Sequence, residues 1–271
     1  MKANYLLPTL AGLLLTGAGI QTRAQDAPSV PRHVVALQTG IVQHLVRDQN
    51  ASPLIYRGHL AQLRLSYQLR TARGQWFIGL SAARGDFYSR DYPERVVYYG
   101  TSAVSLRDQL LTGELHVHHL RRLTSFAGGE VLLGAGLQQS LYYPQSEPFA
   151  GMASISSVPL LGQLRYALGP KTTLEAQVQY ALAGLITRLP YDNSLSRPEE
   201  TSQLKAFYRN NTRFEGGHRL QQAGLRLTAA FQLGRRWQAG GGYAFGLLRH
   251  PDPKPMTRIT HSVHAQLHFA L

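Results

Sequence analysis

An all-β chain, folded as a transmembrane up-and-down antiparallel β-barrel of about ten strands, is the fold class this 271-residue sequence predicts. Three observations carry that expectation. Segment after segment alternates apolar and polar residues with a period of two, as a strand does when its faces meet different surroundings. The connections alternate short and long, as in a barrel with tight turns at one end and loops at the other. No later segment reaches the ~18 continuous apolar residues that a spanning helix needs. Eight to twelve strands fit the length, and ten fit the pattern.

The first segment has the form of an export signal. Lys2 supplies the positive charge, and an apolar stretch runs from Tyr5 through Leu13, Leu14 and Leu15 to Ile20. Thr22-Arg23-Ala24-Gln25 is close to a small-x-small cleavage pattern, so residues 1–24 are expected to be a signal peptide and 25–271 the barrel domain. The apolar run is too short for a spanning anchor, and Pro8 interrupts it. The chain contains no cysteine, which excludes disulfides, thiolate metal sites and a lipid-modified mature N-terminus. Lys plus Arg is 28 against 15 Asp plus Glu, but the basic residues are spread along the chain. They form no stripe of the kind that tracks a nucleic acid, and no nucleic-acid partner is expected.

The strands follow in order. Less regular alternation covers 34–46 and 106–120. In 58–70, Ala61, Leu63, Leu65, Tyr67 and Leu69 share one face, and Leu60, Gln62, Arg64, Ser66, Gln68 and Arg70 the other. In 75–84 the apolar face is Trp76, Ile78, Leu80 and Ala82. Segments 130–143, 158–168, 223–231, 237–247 and 262–271 repeat the pattern. The cleanest is 172–186, with Leu174, Ala176, Val178, Tyr180 and Leu182 against Thr173, Glu175, Gln177 and Gln179. Short turns are expected at Thr71-Ala72-Arg73-Gly74, Arg121 to Thr124, Gly169-Pro170-Lys171 and Gly234-Arg235-Arg236. Long loops are expected around 47–57, 85–104, 144–157, 187–219 and 248–257. An even strand count places both ends of the barrel domain on the short-turn side.

Antiparallel partners must show the same face, which tests the turns. Folding about Pro170 sets Arg165 opposite Glu175, Gln163 opposite Gln177 and Leu164 opposite Ala176. Folding between Ala72 and Arg73 pairs Leu69 with Trp76 and Tyr67 with Ile78. Folding about Gly234 pairs Phe231 with Trp237.

Alternation alone does not say which face meets water. A soluble barrel hides its apolar face, and a membrane barrel turns it outward. Aromatic placement favours the membrane. Trp76 and Trp237 open strands after short turns, Phe126 sits near another turn, and Tyr67 and Tyr166 lie just before two more. Together they form a girdle at one membrane interface. The alternative is a secreted soluble β-barrel that holds an apolar ligand.

With its export signal, its alternating strands and its final Ala265-Gln266-Leu267-His268-Phe269-Ala270-Leu271, the chain resembles bacterial outer-membrane β-barrel proteins, particularly those of the Bacteroidota type. The resemblance covers the whole mature chain through features generic to the class. It implies a place in the Gram-negative outer membrane, with outer-membrane lipid around the barrel. It also implies the barrel-assembly machinery as a partner during biogenesis, with Leu267, Phe269 and Leu271 as the C-terminal insertion signal. That class usually ends in Phe or Trp, whereas this chain ends in Leu271.

The polar face then becomes the lumen, with Arg64, Glu114, Glu130, Arg165, Glu175, Arg226, His264 and His268 as its network, and Arg70 and Arg84 beside them. In a barrel this narrow, side chains fill most of the interior, and charges there must pair. Arg165 with Glu175 is the pair expected first. His116, His118 and His264 are the candidates for chemistry, since His116 and His118 share a face with Glu114. Ordinary lumen histidines account for them better than a metal site does, so neither metal nor cofactor is expected. Phospholipase-like and deacylase-like barrels carry His-x-Ser, and omptin-like proteases carry Asp-His. Neither pattern occurs in this sequence.

The loops carry Phe87, Tyr88, Tyr92, Tyr98 and Tyr99 in one, and Tyr191, Arg197, Phe207, Tyr208, Arg213 and Phe214 in another. Such residues suit an extracellular ligand or glycan, or packing on one another. The function expected is non-catalytic surface binding or structure. A narrow porin-like channel for small solutes and a membrane-embedded hydrolase centred on His116 or His264 are the alternatives.

Overall fold

The computed structural model describes residues 33–93, 96–105, 107–145, 151–188, 207–209 and 212–271. The expected signal peptide lies outside them. The strands are β1 (His33–Asp48), β2 (Ile55–Thr71), β3 (Gly74–Ser89), β4 (Val96–Tyr99), β5 (Ser102–Ser105), β6 (Arg107–Phe126) and β7 (Gly129–Pro144). They continue as β8 (Ala153–Ala167), β9 (Thr172–Arg188), β10 (Thr212–Gly216), β11 (Gln221–Gln232), β12 (Trp237–His250) and β13 (Met256–Ala270).

Ten of these close into one antiparallel ring in the order β1-β2-β3-β6-β7-β8-β9-β11-β12-β13, and β13 pairs back onto β1. The β4–β5 hairpin is a separate two-stranded ribbon within the β3–β6 connection. β10 is the outer continuation of β11. It pairs with Ala183–Thr187 of β9, just beyond the stretch that β11 covers.

The register shows how the ring closes. Starting at Leu45 on β1, the pairing runs through Ile259, Leu247, Ala223, Tyr180 and Leu160. It continues through Ala135, His119, Trp76 and Leu69, and returns to β1 at His33, 12 residues from its start. That stagger over ten strands gives a strand tilt of about 40° and a backbone radius of about 10 Å.

The two faces are inverted relative to a soluble protein. On β1, Ile41 is 65% exposed while Gln38 is 8% exposed. The same holds around the ring. Leu63, Leu80, Leu115, Leu137, Leu160, Val178, Leu227 and Val263 all stand on the outer surface. Inside lie Arg64, Gln75, Ser81, His116, His118, Gln138, Gln163 and His264. A belt of this radius and ~25 Å height presents on the order of 2,000 Å² of apolar surface. Soluble monomers rarely expose more than a few hundred Å² in one patch. The chain is therefore a transmembrane barrel. The soluble alternative does not fit, because a soluble barrel would turn this apolar face inward.

The register agrees with the turns read from the sequence at two places. Arg165 faces Glu175, Gln163 faces Gln177 and Leu164 faces Ala176. Leu69 faces Trp76 and Tyr67 faces Ile78. Two other turns need correction. Gly234 lies in a longer connection, so Phe231 faces Ala239, and Trp237 packs instead against Phe269 with ring centroids 4.7 Å apart. Arg121 to Thr124 is no turn. β6 runs on to Phe126 because a bulge between Arg122 and Thr124 absorbs Leu123. The chain reverses at Ala127-Gly128, where Gly128 takes a φ of 76°, a conformation that glycine enters without strain. Arg121 and Arg122 are thus strand residues.

Many glycines in the strands face inward, where a narrow, strongly coiled wall leaves no room for a side chain. At Gly85 a Cβ would stand 2.0 Å from the carbonyl oxygen of His59, so any larger residue must shift backbone.

Candidate functional site

The lumen is built in three layers, and the expected polar network is divided between the first two. At the short-turn end, Gln75 opens β3 and reaches across the lumen to Gln163 on β8, donating from Nε2 to Oε1 at 2.5 Å. Gln75 Oε1 accepts from Gln68 Nε2 at 2.8 Å and from Arg165 Nη2 at 2.7 Å. Arg70 Nε donates to Gln68 at 2.9 Å. Arg165 pairs with Glu130 through Nη1 and with Glu175 through Nε at 3.4 Å, and Arg122 Nε bonds Glu130 at 2.7 Å. One guanidinium therefore holds two carboxylates from β7 and β9, its fork matching theirs. His268 faces this end of the lumen without a hydrogen bond at either ring nitrogen.

The middle layer is a chamber of about 130 Å³. Arg64, Arg226, Arg258, Glu114, His116 and His118 line it, among others. His116 Nε2 bonds Glu114 Oε2 at 3.1 Å, and the His116 and His118 rings are 5.8 Å apart. The His118 ring also stacks on Phe77, whose other neighbour is the Arg64 guanidinium, 5.5 Å from the ring centre. His44 Nδ1 bonds the Tyr142 hydroxyl at 2.5 Å, and Arg258 lies 3.8 Å above the Tyr142 ring. His264 belongs to this layer. A Cβ at Gly242 would come within 2.7 Å of its Nε2, so the absent side chain there makes space for the imidazole.

The outer layer is apolar. Tyr56, Leu60, Phe87, Leu110, Ile155, Ile186, Leu220, Leu248 and Met256 form one buried cluster with Val46, Ala83, Tyr142 and Ala153. Every barrel strand except β11 contributes, and Leu220 sits immediately ahead of that one. Tyr56 stacks on Phe87 with centroids 5.2 Å apart. Each fully buried Leu or Ile contributes roughly 1.5–3 kcal/mol, so this plug is a substantial share of the interior packing. Above it, Arg188 on β9 pairs with Asp48 on β1 and donates to the carbonyls of Asp252 and Lys254 at 2.6 and 2.9 Å. Arg219 reaches Asp252 at 3.0 Å, and His250 Nε2 lies 3.6 Å from Glu215.

The sequence missed Arg258, Tyr142 and this outer clamp. It also misplaced two groups. Arg84 is on the outer wall, where its guanidinium bonds Gln109 and Gln145. Phe87 is a lumen residue and belongs to no loop. Of the other loop aromatics, Tyr88 stacks on His59, and Phe207 is buried edge-on against Tyr208. Tyr208 donates to Ser154 Oγ at 3.2 Å. Tyr98 and Phe214 stand exposed, and Tyr191 and Arg197 lie outside the described residues.

Tyr67, Trp76, Phe126, Tyr166 and Trp237 all face outward at the short-turn end. Phe126 stacks on Tyr166 at 6.4 Å, Trp76 lies 4.6 Å from His119, and Tyr67 bonds His33 Nδ1 at 2.6 Å. Leu267 and Phe269 stand on the same outer surface beside β1 and β12, and Leu271, just past the end of β13, is exposed.

No Asp-His dipeptide occurs, yet the register sets His59 directly across from Asp86 on the outer wall. Among the described residues, no three His, Asp or Glu side chains are grouped to hold a metal ion.

No family model matches this chain, and no curated protein matches it in sequence. Solved structures do match. The outer membrane protease OmpT from Escherichia coli aligns over 89% of this chain and 98% of its own at 10% identity, with a TM-score of 0.56. The translocator domain of the autotransporter NalP from Neisseria meningitidis aligns over 91% and 90% at 10% identity, with a TM-score of 0.45. Neisserial surface protein A aligns over 88% and 97% at 8% identity, with a TM-score of 0.38. The first shares the fold. At this identity, none speaks to activity.

Proposed function

We propose that this chain is an integral barrel of a Gram-negative outer membrane and acts at the cell surface as a non-catalytic binding or structural protein. The observation that supports this reading over a channel is the closure of the lumen. The apolar cluster around Phe87 and Leu60 fills its outer third, and the layer joining Gln75, Gln163 and Arg165 crosses its inner end. An ion crossing the plug would give up its hydration against the buried Leu, Ile, Phe and Met side chains.

The working surface is then the wall above the apolar belt, together with the loops that carry Tyr98 and Phe214, and it suits an extracellular ligand or glycan. The outward aromatics at the short-turn end would sit among lipid headgroups on the periplasmic side. The terminal face of Leu267, Phe269 and Leu271 would be read by the barrel-assembly machinery.

The test is conductance. The purified barrel, reconstituted into a planar bilayer, is expected to give no stepwise current above the lipid background. Regular unitary steps that scale with salt concentration would assign it to the channels instead.

A further inference from the structure

The chamber in the middle of the lumen holds more positive charge than its own residues balance. Arg64 from β2, Arg226 from β11 and Arg258 from β13 line it, and Glu114 is its single carboxylate. Glu114 bonds His116. Apart from that His116–Glu114 contact the ion pairs among the described residues lie elsewhere, and none includes Arg64, Arg226 or Arg258. Arg64 and Arg258 are 4% and 6% exposed. Arg64 Nε and Arg258 Nη1 have no hydrogen-bond partner, and neither ring nitrogen of nearby His264 has one.

Water can accept bonds from such donors but brings no charge. A buried cation without a counter-charge is among the costliest arrangements in a protein interior. The β12 wall is small where it meets Arg226, with Ala244 opposite that residue and Gly246 two positions on, while Leu248 stands opposite Arg258.

We propose that this chamber is a binding site for a small tetrahedral oxyanion of the inorganic phosphate class, held between Arg64, Arg226 and Arg258. Guanidinium forks match such oxygens in pairs. About 130 Å³ admits one such ion with a few waters and no acyl chain, so a lipid headgroup is the wrong ligand. The apolar plug shuts the outer side, so the ion enters from the short-turn end when the hydrogen-bonded layer of Gln75 and Arg165 opens.

The experiment is calorimetric titration of the full barrel, folded in detergent micelles, with inorganic phosphate against chloride at equal ionic strength. The expected result is one saturable phosphate site per barrel. Arg64→Gln and Arg258→Gln should each weaken it about tenfold or more, whereas Arg235→Gln on an exposed turn leaves it unchanged. No saturable site, or an equal affinity in the Arg64→Gln/Arg258→Gln double variant, overturns the proposal. If those variants do not fold, native mass spectrometry of the wild-type barrel decides. A single phosphate adduct that chloride does not reproduce supports the site, and its absence rejects it.

Discussion

Val263→Arg is expected to destabilise the folded barrel in lipid by about 2–4 kcal/mol, the cost of a cation on a barrel's outer face near the bilayer midplane. Val263 is 67% exposed, at the middle of β13 and opposite Ile41 of β1. In water, an arginine at so exposed a position would cost nearly nothing. The size of the effect therefore reports the medium around the residue. Denaturant unfolding in vesicles measures it. Thr257→Arg, toward the outer end of the same strand, is the matched control and should cost ~0–1 kcal/mol. Equal small costs at both positions would mean that the apolar face does not meet hydrocarbon.

Arg165→Ala carries the second large expected effect. It strands Glu130 and Glu175 together with no cation from β8, at side-chain exposures of 15% and 27%. Removing one partner of a buried ion pair costs about 3 kcal/mol or more, because the remaining charges stay desolvated. Arg122→Ala, which removes a half-exposed partner of the same Glu130, should cost ~1 kcal/mol or less. The same unfolding measurement separates them. Similar losses for the two variants would show that the inner layer is solvated and no closure of the lumen.

How much of this was legible in the sequence depends on depth in the barrel. Within the membrane belt the two environments differ sharply, so the period of two is strong and the strand count can be read. The tight turns at 71–74 and 169–171 then fixed the register, down to Arg165 opposite Glu175. The turn near Arg121 was misplaced because two consecutive arginines look like a solvated turn, while a bulge lets them stay paired. Above the belt the outer wall is polar on both faces in places, and the signal fades. Arg84 and Arg258 were lost there, the first to the wrong face and the second in the gap between the loop expected to 257 and the strand expected from 262.

The plug did leave a trace in the sequence. Leu110-Leu111 and Leu247-Leu248 break the alternation, each placing one leucine in the plug, and Leu132-Leu133 and Leu160-Leu161 each place one in a second, smaller buried cluster with Leu120. Read as a set, such doublets say that the lumen is not polar throughout. The convergence of Arg64, Arg226 and Arg258 left no such trace, because three distant strands bring it about only once the ring has closed.

The most direct test of an outward apolar belt is the mobility of the protein on a denaturing gel with and without boiling. The chain is expressed with its N-terminal segment in a Gram-negative host, and the membranes are separated. A barrel closed by ten paired strands in the outer membrane should be recovered in that fraction, and its unboiled band should shift position on boiling. A product free in the periplasm or medium, with one band position under both conditions, would contradict the transmembrane barrel.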